Sequence, residues 1–247
     1  MSKHAAEKYE LYYWPQIQGR GEFVRLALED AGADYVDVAR LPKSEGGGVS
    51  AITKILKSAD QPAFAPPILK IDGRFVAQTH LILQVLAPRL GLVPGDDASR
   101  IFAHQLELTV SDLIFEVHET HHPIASGLYY EDQKPEAARR TGSFLEERVP
   151  KYLGYFERVL EKNGGKAMVG DDVSYVDLSM FQILAGLEYA FPRALAAFAP
   201  KVPLLRALAT RVAGRERLAA YLASARRIPF NEDGIFRRYP ELDQATG

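Results

Sequence analysis

The sequence predicts a small mixed α/β domain followed by an all-helical domain. Three observations carry this. Strand and helix signals alternate as β-α-β-α-β-β-α within about the first ninety residues. An Asp72-Gly73 turn joins two of the strands directly. After Pro94-Gly95-Asp96-Asp97 the long segments have helical periodicity, with no strand alternation. The expected boundaries are 9–91 for the α/β domain and 98–247 for the helical domain, its C-terminal tail included.

Tyr9–Trp14 reads as an aromatic strand blocked by Pro15. A helix over Glu22–Asp30 follows, with Phe23, Leu26, Ala27 and Asp30 one turn apart and Gly32 as its stop. Tyr35-Val36-Asp37-Val38 alternates as a second strand. Lys43–Gly48 is loop, Ser50–Lys57 a short helix, and loop resumes through Gln61-Pro62. Pro67–Ile71 and Phe75–Ala77 flank the Asp72-Gly73 turn, and Gln78–Leu90 is a helix ended by Gly91. Helical connections imply parallel pairing, whereas the tight turn forces one antiparallel pair. In the second domain the helical segments are Ala98–His122, Pro135–Glu161, Ser174–Tyr189 and Pro203–Ala223. Ser174-Tyr175-Val176-Asp177 has the form of a capping box.

Composition narrows the function classes. The chain has 247 residues and a formal net charge of −2, without the basic excess expected of a nucleic-acid or anionic-membrane binder. It has 0 cysteines, which rules out disulfides, thiolate metal sites and cysteine nucleophiles. No signal-peptide pattern and no long apolar run occur, so a cytoplasmic protein is expected.

The chemistry is concentrated where the first strand meets the first helix, at Tyr13-Trp14 and Gly19-Arg20-Gly21-Glu22. A helix start offers free N–H groups and partial positive charge, and a phenol beside it can hold a thiolate or an oxyanion. These residues, with Pro67-Ile68-Leu69, Asp72-Gly73 before Gln78-Thr79, and the Ser174–Asp177 capping box, resemble the cytosolic glutathione transferases of the tyrosine-type classes. The resemblance covers nearly the whole chain. It implies a thioredoxin-like α/β N-terminal domain, an all-α C-terminal bundle, and glutathione as co-substrate.

By the resemblance, Tyr13 is the tyrosine that hydrogen-bonds the glutathione sulfur and Arg20 supports it. Lys57 would pair with the glycyl carboxylate, and Gln78 and Thr79 would hold the γ-glutamyl carboxylate at a helix start. Pro67 corresponds to the family's cis-proline, preceded by Pro66 at the position that faces the cysteinyl backbone. Asp112 would reach the glutathione amine across a homodimer interface, for which the first long helix is the candidate element. An apolar site for the electrophile is expected near Trp14, Ile17, Phe115 and Tyr129.

Two departures from the family pattern stand out. One residue is inserted between Trp14 and Gly19, and Gln18 stands where an arginine is common. Pro66 has a carbonyl but no N–H, so one of the two backbone hydrogen bonds to glutathione cannot form. A binding module of the same fold, or a glutathione-dependent lyase or ether-cleaving enzyme, are the alternative functions. His118-Glu119-Thr120-His121-His122 matches H-E-x-x-H, but Pro123 disfavours the continuous helix that zinc would need, so no metal is expected. Gly46-Gly47-Gly48 lacks the lysine-serine/threonine pair of a phosphate loop, and Arg226-Arg227 reads as a source of tail salt bridges.

Overall fold

The computed structural model describes residues 8–58 and 61–243. These form two compact units. One holds the described residues up to Leu92 together with Arg215–Ile228, and the other holds Val93–Gly214 together with the described residues from Pro229.

The first unit is built on a four-stranded sheet of order β2-β1-β3-β4. The strands are β1 (Tyr9–Tyr12), β2 (Tyr35–Asp37), β3 (Ile68–Ile71) and β4 (Arg74–Ala77), with α1 (Gly21–Ala31), α2 (Val49–Ser58) and α3 (Thr79–Leu90) between and after them. β1 and β2 run parallel, and β4 returns antiparallel to β3 through Asp72 and Gly73, both at positive φ. β3 is also antiparallel to β1. The expectation of a single antiparallel pair therefore fails. β2 and β3 are not neighbours in the sheet, so α2 does not serve as a crossover between parallel partners.

Strand alternation gives each face its own core. Tyr9, Leu11, Leu69 and Ile71 pack with Val24 and Leu28 of α1 and Ile82 and Leu86 of α3. On the other face Tyr12 and Ile68 pack with Ile52 and Ile55 of α2. α1 stops at Gly32, whose φ of 65° is the left-handed conformation that closes a helix, and its N–H returns to Glu29 O.

The second unit is helical: α4 (Asp97–Glu119), α5 (Lys134–Ser143), a π turn (Phe144–Arg148), α6 (Val149–Lys162), α7 (Tyr175–Ala190), α8 (Pro192–Phe198) and α9 (Pro203–Ala213). The segment expected over Pro135–Glu161 is thus two helices joined by the π turn. The capping box at the start of α7 is present, and Asp177 is fully buried. Its carboxylate accepts hydrogen bonds from Ser174 N and Met168 N at 2.8 Å each, and from the Ser174 hydroxyl at 2.5 Å.

The single helix expected over Pro203–Ala223 is broken. Gly214 caps α9 and Arg215 turns extended at φ −67°, ψ 131°, before α10 (Glu216–Leu222) begins. From Arg215 to Ile228 the chain packs with the first unit rather than within 98–247. The reason is charge: α1 buries Glu22, Glu29 and Asp30, which must be paired where water is absent, and this segment supplies Arg215, Arg226 and Arg227 to them.

Candidate active site

Tyr13 follows directly on β1 and is 4% exposed. Its ring is covered by the turn that starts α1. A Cβ built on Gly19 would lie 2.1 Å from the Tyr13 hydroxyl, and one on Gly21 would lie 2.4 Å from the ring. Gly19 also has φ +46°. The Gly-x-Gly spacing is therefore dictated by the tyrosine beneath it.

The Tyr13 hydroxyl accepts a hydrogen bond from Arg20 N–H at 2.8 Å. This occupies one lone pair and leaves the phenolic proton with no acceptor among the described residues. Burial pushes the phenol up, opposed by the Arg20 and Gly21 N–H groups and the charges of Arg20 and Arg25. Tyr13 is thus a protonated donor near neutral pH. The Arg20 side chain is half-buried and makes no ion pair among the described residues.

The Pro66–Pro67 peptide is cis, the isomer the resemblance implies, and it directly precedes β3. Gln78 stands at φ 72°, ψ 116° at the threshold of α3. Thr79 is the first helical residue, and its buried hydroxyl has no hydrogen-bond partner among the described residues. Together with the free N–H groups of a helix start, it forms a seat for a carboxylate. Lys57 is exposed on the last turn of α2. Trp14 and Ile17 lie near Tyr13 in the chain, the first exposed and the second half-buried.

The remaining expected site residues belong to the second unit. Asp112 and Phe115 line a cavity of about 740 Å³ with Ser111, Glu116, Glu119, Arg140, Arg148 and Tyr152. Arg148 and Arg140 both reach the Glu116 carboxylate, at 2.6 and 3.2 Å, and hold it below the usual carboxylate range against the opposing effect of burial. Tyr129 is 78% exposed.

His118 lies in the last turn of α4, which stops at Glu119, so His121 and His122 fall beyond the helix. Their rings stack edge-on at 4.7–5.1 Å, and His121 is pinned to Ile235 O at 2.8 Å through Nε2. Among the described residues no group of three His, Cys, Asp or Glu side chains is placed to hold a metal ion. Burial, with the charge of Arg237, pushes His121 down to about 3. The unfolded chain therefore takes up a proton first, and the stability that His121 contributes is full above about pH 6.5 and is lost as pH falls towards 3. Denaturant titrations should show unfolding free energy falling by roughly 2 kcal/mol from pH 7 to 5 on this account. His121→Gln should remove that component of the slope, and equal slopes in the two proteins would refute the assignment.

Sequence reasoning missed a buried charge cluster next to Tyr13. Glu22 and Arg25 are 0% exposed. Arg25 donates to Asp37 Oδ2 at 2.7 Å and to Glu22 Oε2 at 3.1 Å, and its guanidinium carbon lies 5.8 Å from the centre of the Tyr13 ring. Glu22 Oε1 accepts from Tyr221 Oη at 2.6 Å and from Arg227. One signal was available: Glu22 and Arg25 are an i,i+3 charge pair in a helix that is otherwise apolar on several sides.

Residues 118–225 match the family model described as the glutathione S-transferase C-terminal domain. The chain is similar to the glutathione S-transferases. Relatives extend the match across the α/β unit. A glutathione S-transferase from Plasmodium yoelii yoelii is 25% identical over 207 residues, covering 84% of this chain and 90% of the relative. Glutathione S-transferase P 2 of Bufo bufo is 29% identical over 231 residues, covering 92% and 98%. Among solved structures, the pi-class glutathione S-transferase of Onchocerca volvulus superposes with a TM-score of 0.69 at 23% identity, covering 92% of this chain and 98% of that one. Prostaglandin synthase D of Nilaparvata lugens gives the same TM-score at 19% identity, covering 90% and 100%. At these identities the structural likeness speaks to the fold. The expected thioredoxin-like unit and helical unit are the observed architecture. Among the described residues no helix is long and apolar enough to cross a membrane.

Proposed function

We propose that this transferase binds glutathione against Tyr13 and directs its thiolate at an electrophilic, largely apolar second substrate. The observation that carries the reading is the Tyr13 hydroxyl: buried, held by Arg20 N–H, and left with its own proton to donate. A free thiol of pKa about 8.5 is only a few per cent ionised at pH 7. A hydrogen bond to the charged form is worth about 1.5–3 kcal/mol, which lowers the thiol by about one to two pKa units. Arg20 adds positive charge at the same place.

The rest of the glutathione would lie along the edge formed by Pro66, Pro67, Gln78 and Thr79. The unpartnered Thr79 hydroxyl and the start of α3 would receive the γ-glutamyl carboxylate, and Lys57 the glycyl one. Pro66 offers its carbonyl alone. Losing one backbone hydrogen bond weakens binding by about 0.5–1.5 kcal/mol, and this favours the second reading of a ligand carrier with little turnover. Trp14, Ile17, Phe115 and Tyr129 are the residues proposed for the electrophile. Retention on glutathione resin and conjugation of a chromogenic aryl halide test the proposal together. Binding with turnover supports the transferase, binding without turnover the carrier, and failure of both refutes the glutathione reading.

The transferase would act in the cytoplasm, in detoxification, and as a homodimer in which Asp112 reaches the partner's glutathione. Two features support the dimer. Ile101 and Leu108 lie seven residues apart on α4 and are exposed, which places apolar surface along one helix face. Phe64, just before the cis-proline, is 94% exposed. Leu108→Glu would bury an uncompensated charge at about 3–5 kcal/mol, raising the dimer dissociation constant by at least about a hundredfold. Sedimentation should then show dimer for the natural chain and monomer for the variant at micromolar concentration. Monomer in both would refute the dimer.

A further inference from the structure

The transition from Tyr13 to α1 is held by a part of the chain about two hundred residues away. Gln18 donates through Nε2 to Ile228 O at 2.5 Å. Gln18 O is in turn the acceptor for Glu22 N–H at 3.0 Å, so the turn that carries Gly19 and Arg20 is bounded by a residue tied to the C-terminal segment. Tyr221, fully buried on α10, and Arg227 both donate to Glu22 Oε1. Glu22 Oε2 fixes Arg25, whose Nη1 also points at Ile17 O and Gln18 O, at 3.4 Å each. Asp37 takes the other side of the same guanidinium.

The cluster is balanced, with Glu22 and Asp37 against Arg25 and Arg227. Its central members are shut off from water, so each depends on the others for its partner. Removing Tyr221 or Arg227 leaves a buried Glu22 oxygen short of a donor. The pair Glu22–Arg25 can then shift, and Arg25 is the residue beneath both the turn and the Tyr13 ring.

We propose that Tyr221 and Arg227 are positioning residues for Tyr13: through Glu22 and Arg25 they set where the Arg20 N–H and the Tyr13 hydroxyl stand, and hence how well a thiolate is held. This rests on the function proposed above. It goes beyond it by placing part of the thiol site's control in the C-terminal segment, none of which touches glutathione in that reading.

The test uses the full-length protein with Tyr221→Phe and Arg227→Gln, and with Arg227→Lys as the conservative variant. Tyr221→Phe keeps the ring in its buried place and removes only the hydroxyl. Two readouts are taken on each folded variant. One is the apparent pKa of bound glutathione, from thiolate absorbance and from the rising limb of kcat/KM against pH. The other is hydrogen exchange of the peptide spanning residues 17–23 in the ligand-free protein.

Tyr221→Phe and Arg227→Gln are expected to raise the apparent pKa by roughly half a unit to one unit, a three- to tenfold loss of thiolate at low pH. They should leave the KM for glutathione within about twofold and speed exchange in the 17–23 peptide. Arg227→Lys should recover part of the shift. In a Tyr13→Phe background, Tyr221→Phe should add no further shift, because its effect passes through the tyrosine. The proposal is overturned if exchange in 17–23 is unchanged, or if the pKa stays at the natural value in both variants while Tyr13→Phe moves it. If the natural protein gives no thiolate signal but exchange quickens in the variants, the glutathione reading fails and the hold on Tyr13 stands.

Discussion

Tyr13→Phe is expected to raise the apparent pKa of bound glutathione by about one to two units and to lower turnover at neutral pH by roughly eight- to twenty-five-fold. The direction follows from which form the hydroxyl favours. A donor stabilises the thiolate, so its removal returns the thiol towards its solution value near 8.5 and leaves a few per cent ionised at pH 7. Tyr13 can play this part because burial keeps its proton on while Arg20 N–H fixes the oxygen. Binding of glutathione should change far less than turnover, since the proposed carboxylate contacts at Thr79 and Lys57 are untouched. The pH profile decides the matter. A rising limb that moves up with the variant supports the assignment, and one that stays in place removes Tyr13 from the chemistry. Neighbouring tyrosines are poor substitutes: Tyr9 lies in the α1–α3 core, and Tyr12 lies on the opposite face with its hydroxyl on Glu10 at 2.5 Å.

The second large effect is on stability. Asp177 is fully buried and accepts from two backbone N–H groups and one hydroxyl. Asp177→Ala strips all three donors at once and also removes the N-terminal carboxylate that suits the dipole of α7. A lost cap costs about 0.5–2 kcal/mol and each stranded buried donor about 1–3 kcal/mol before relaxation. With partial relaxation the variant should lose about 3–5 kcal/mol, or roughly 6–20 °C in Tm for a chain of this size. Asp177→Asn keeps the acceptor oxygens in part and should lose less. Calorimetry that finds Asp177→Ala within about 1 kcal/mol of the natural protein would show that the bonds at 168, 174 and 177 do not act together. Because α7 is buried along almost its whole length, fraying at its start opens the core of the helical unit.

Much of this was legible in the sequence because it depends on neighbours in the chain. The aromatic strand stopped by Pro15, the glycine stop of α1, the Asp72-Gly73 turn and the Ser174–Asp177 box are each written within a few residues, where backbone preference and side-chain reach settle the outcome. The Gly19-Arg20-Gly21 spacing was legible as a pattern, but its cause was not. The tyrosine ring under both glycines appears only when the turn folds back over the end of β1.

What the sequence by itself determined is the order of elements, the change from mixed to helical structure after Pro94, and Tyr13 as the phenol beside a helix start. The tertiary structure alone decided that β3 runs antiparallel to β1, that Arg215–Ile228 joins the α/β unit, and that Glu22, Arg25 and Asp37 share one buried site with Tyr221 and Arg227. The reason is separation along the chain. Tyr221 meets Glu22 across 199 residues and Arg227 meets it across 205. No local propensity encodes such a meeting. It follows from a buried carboxylate needing partners, and only the folded chain determines which residues are near enough to supply them.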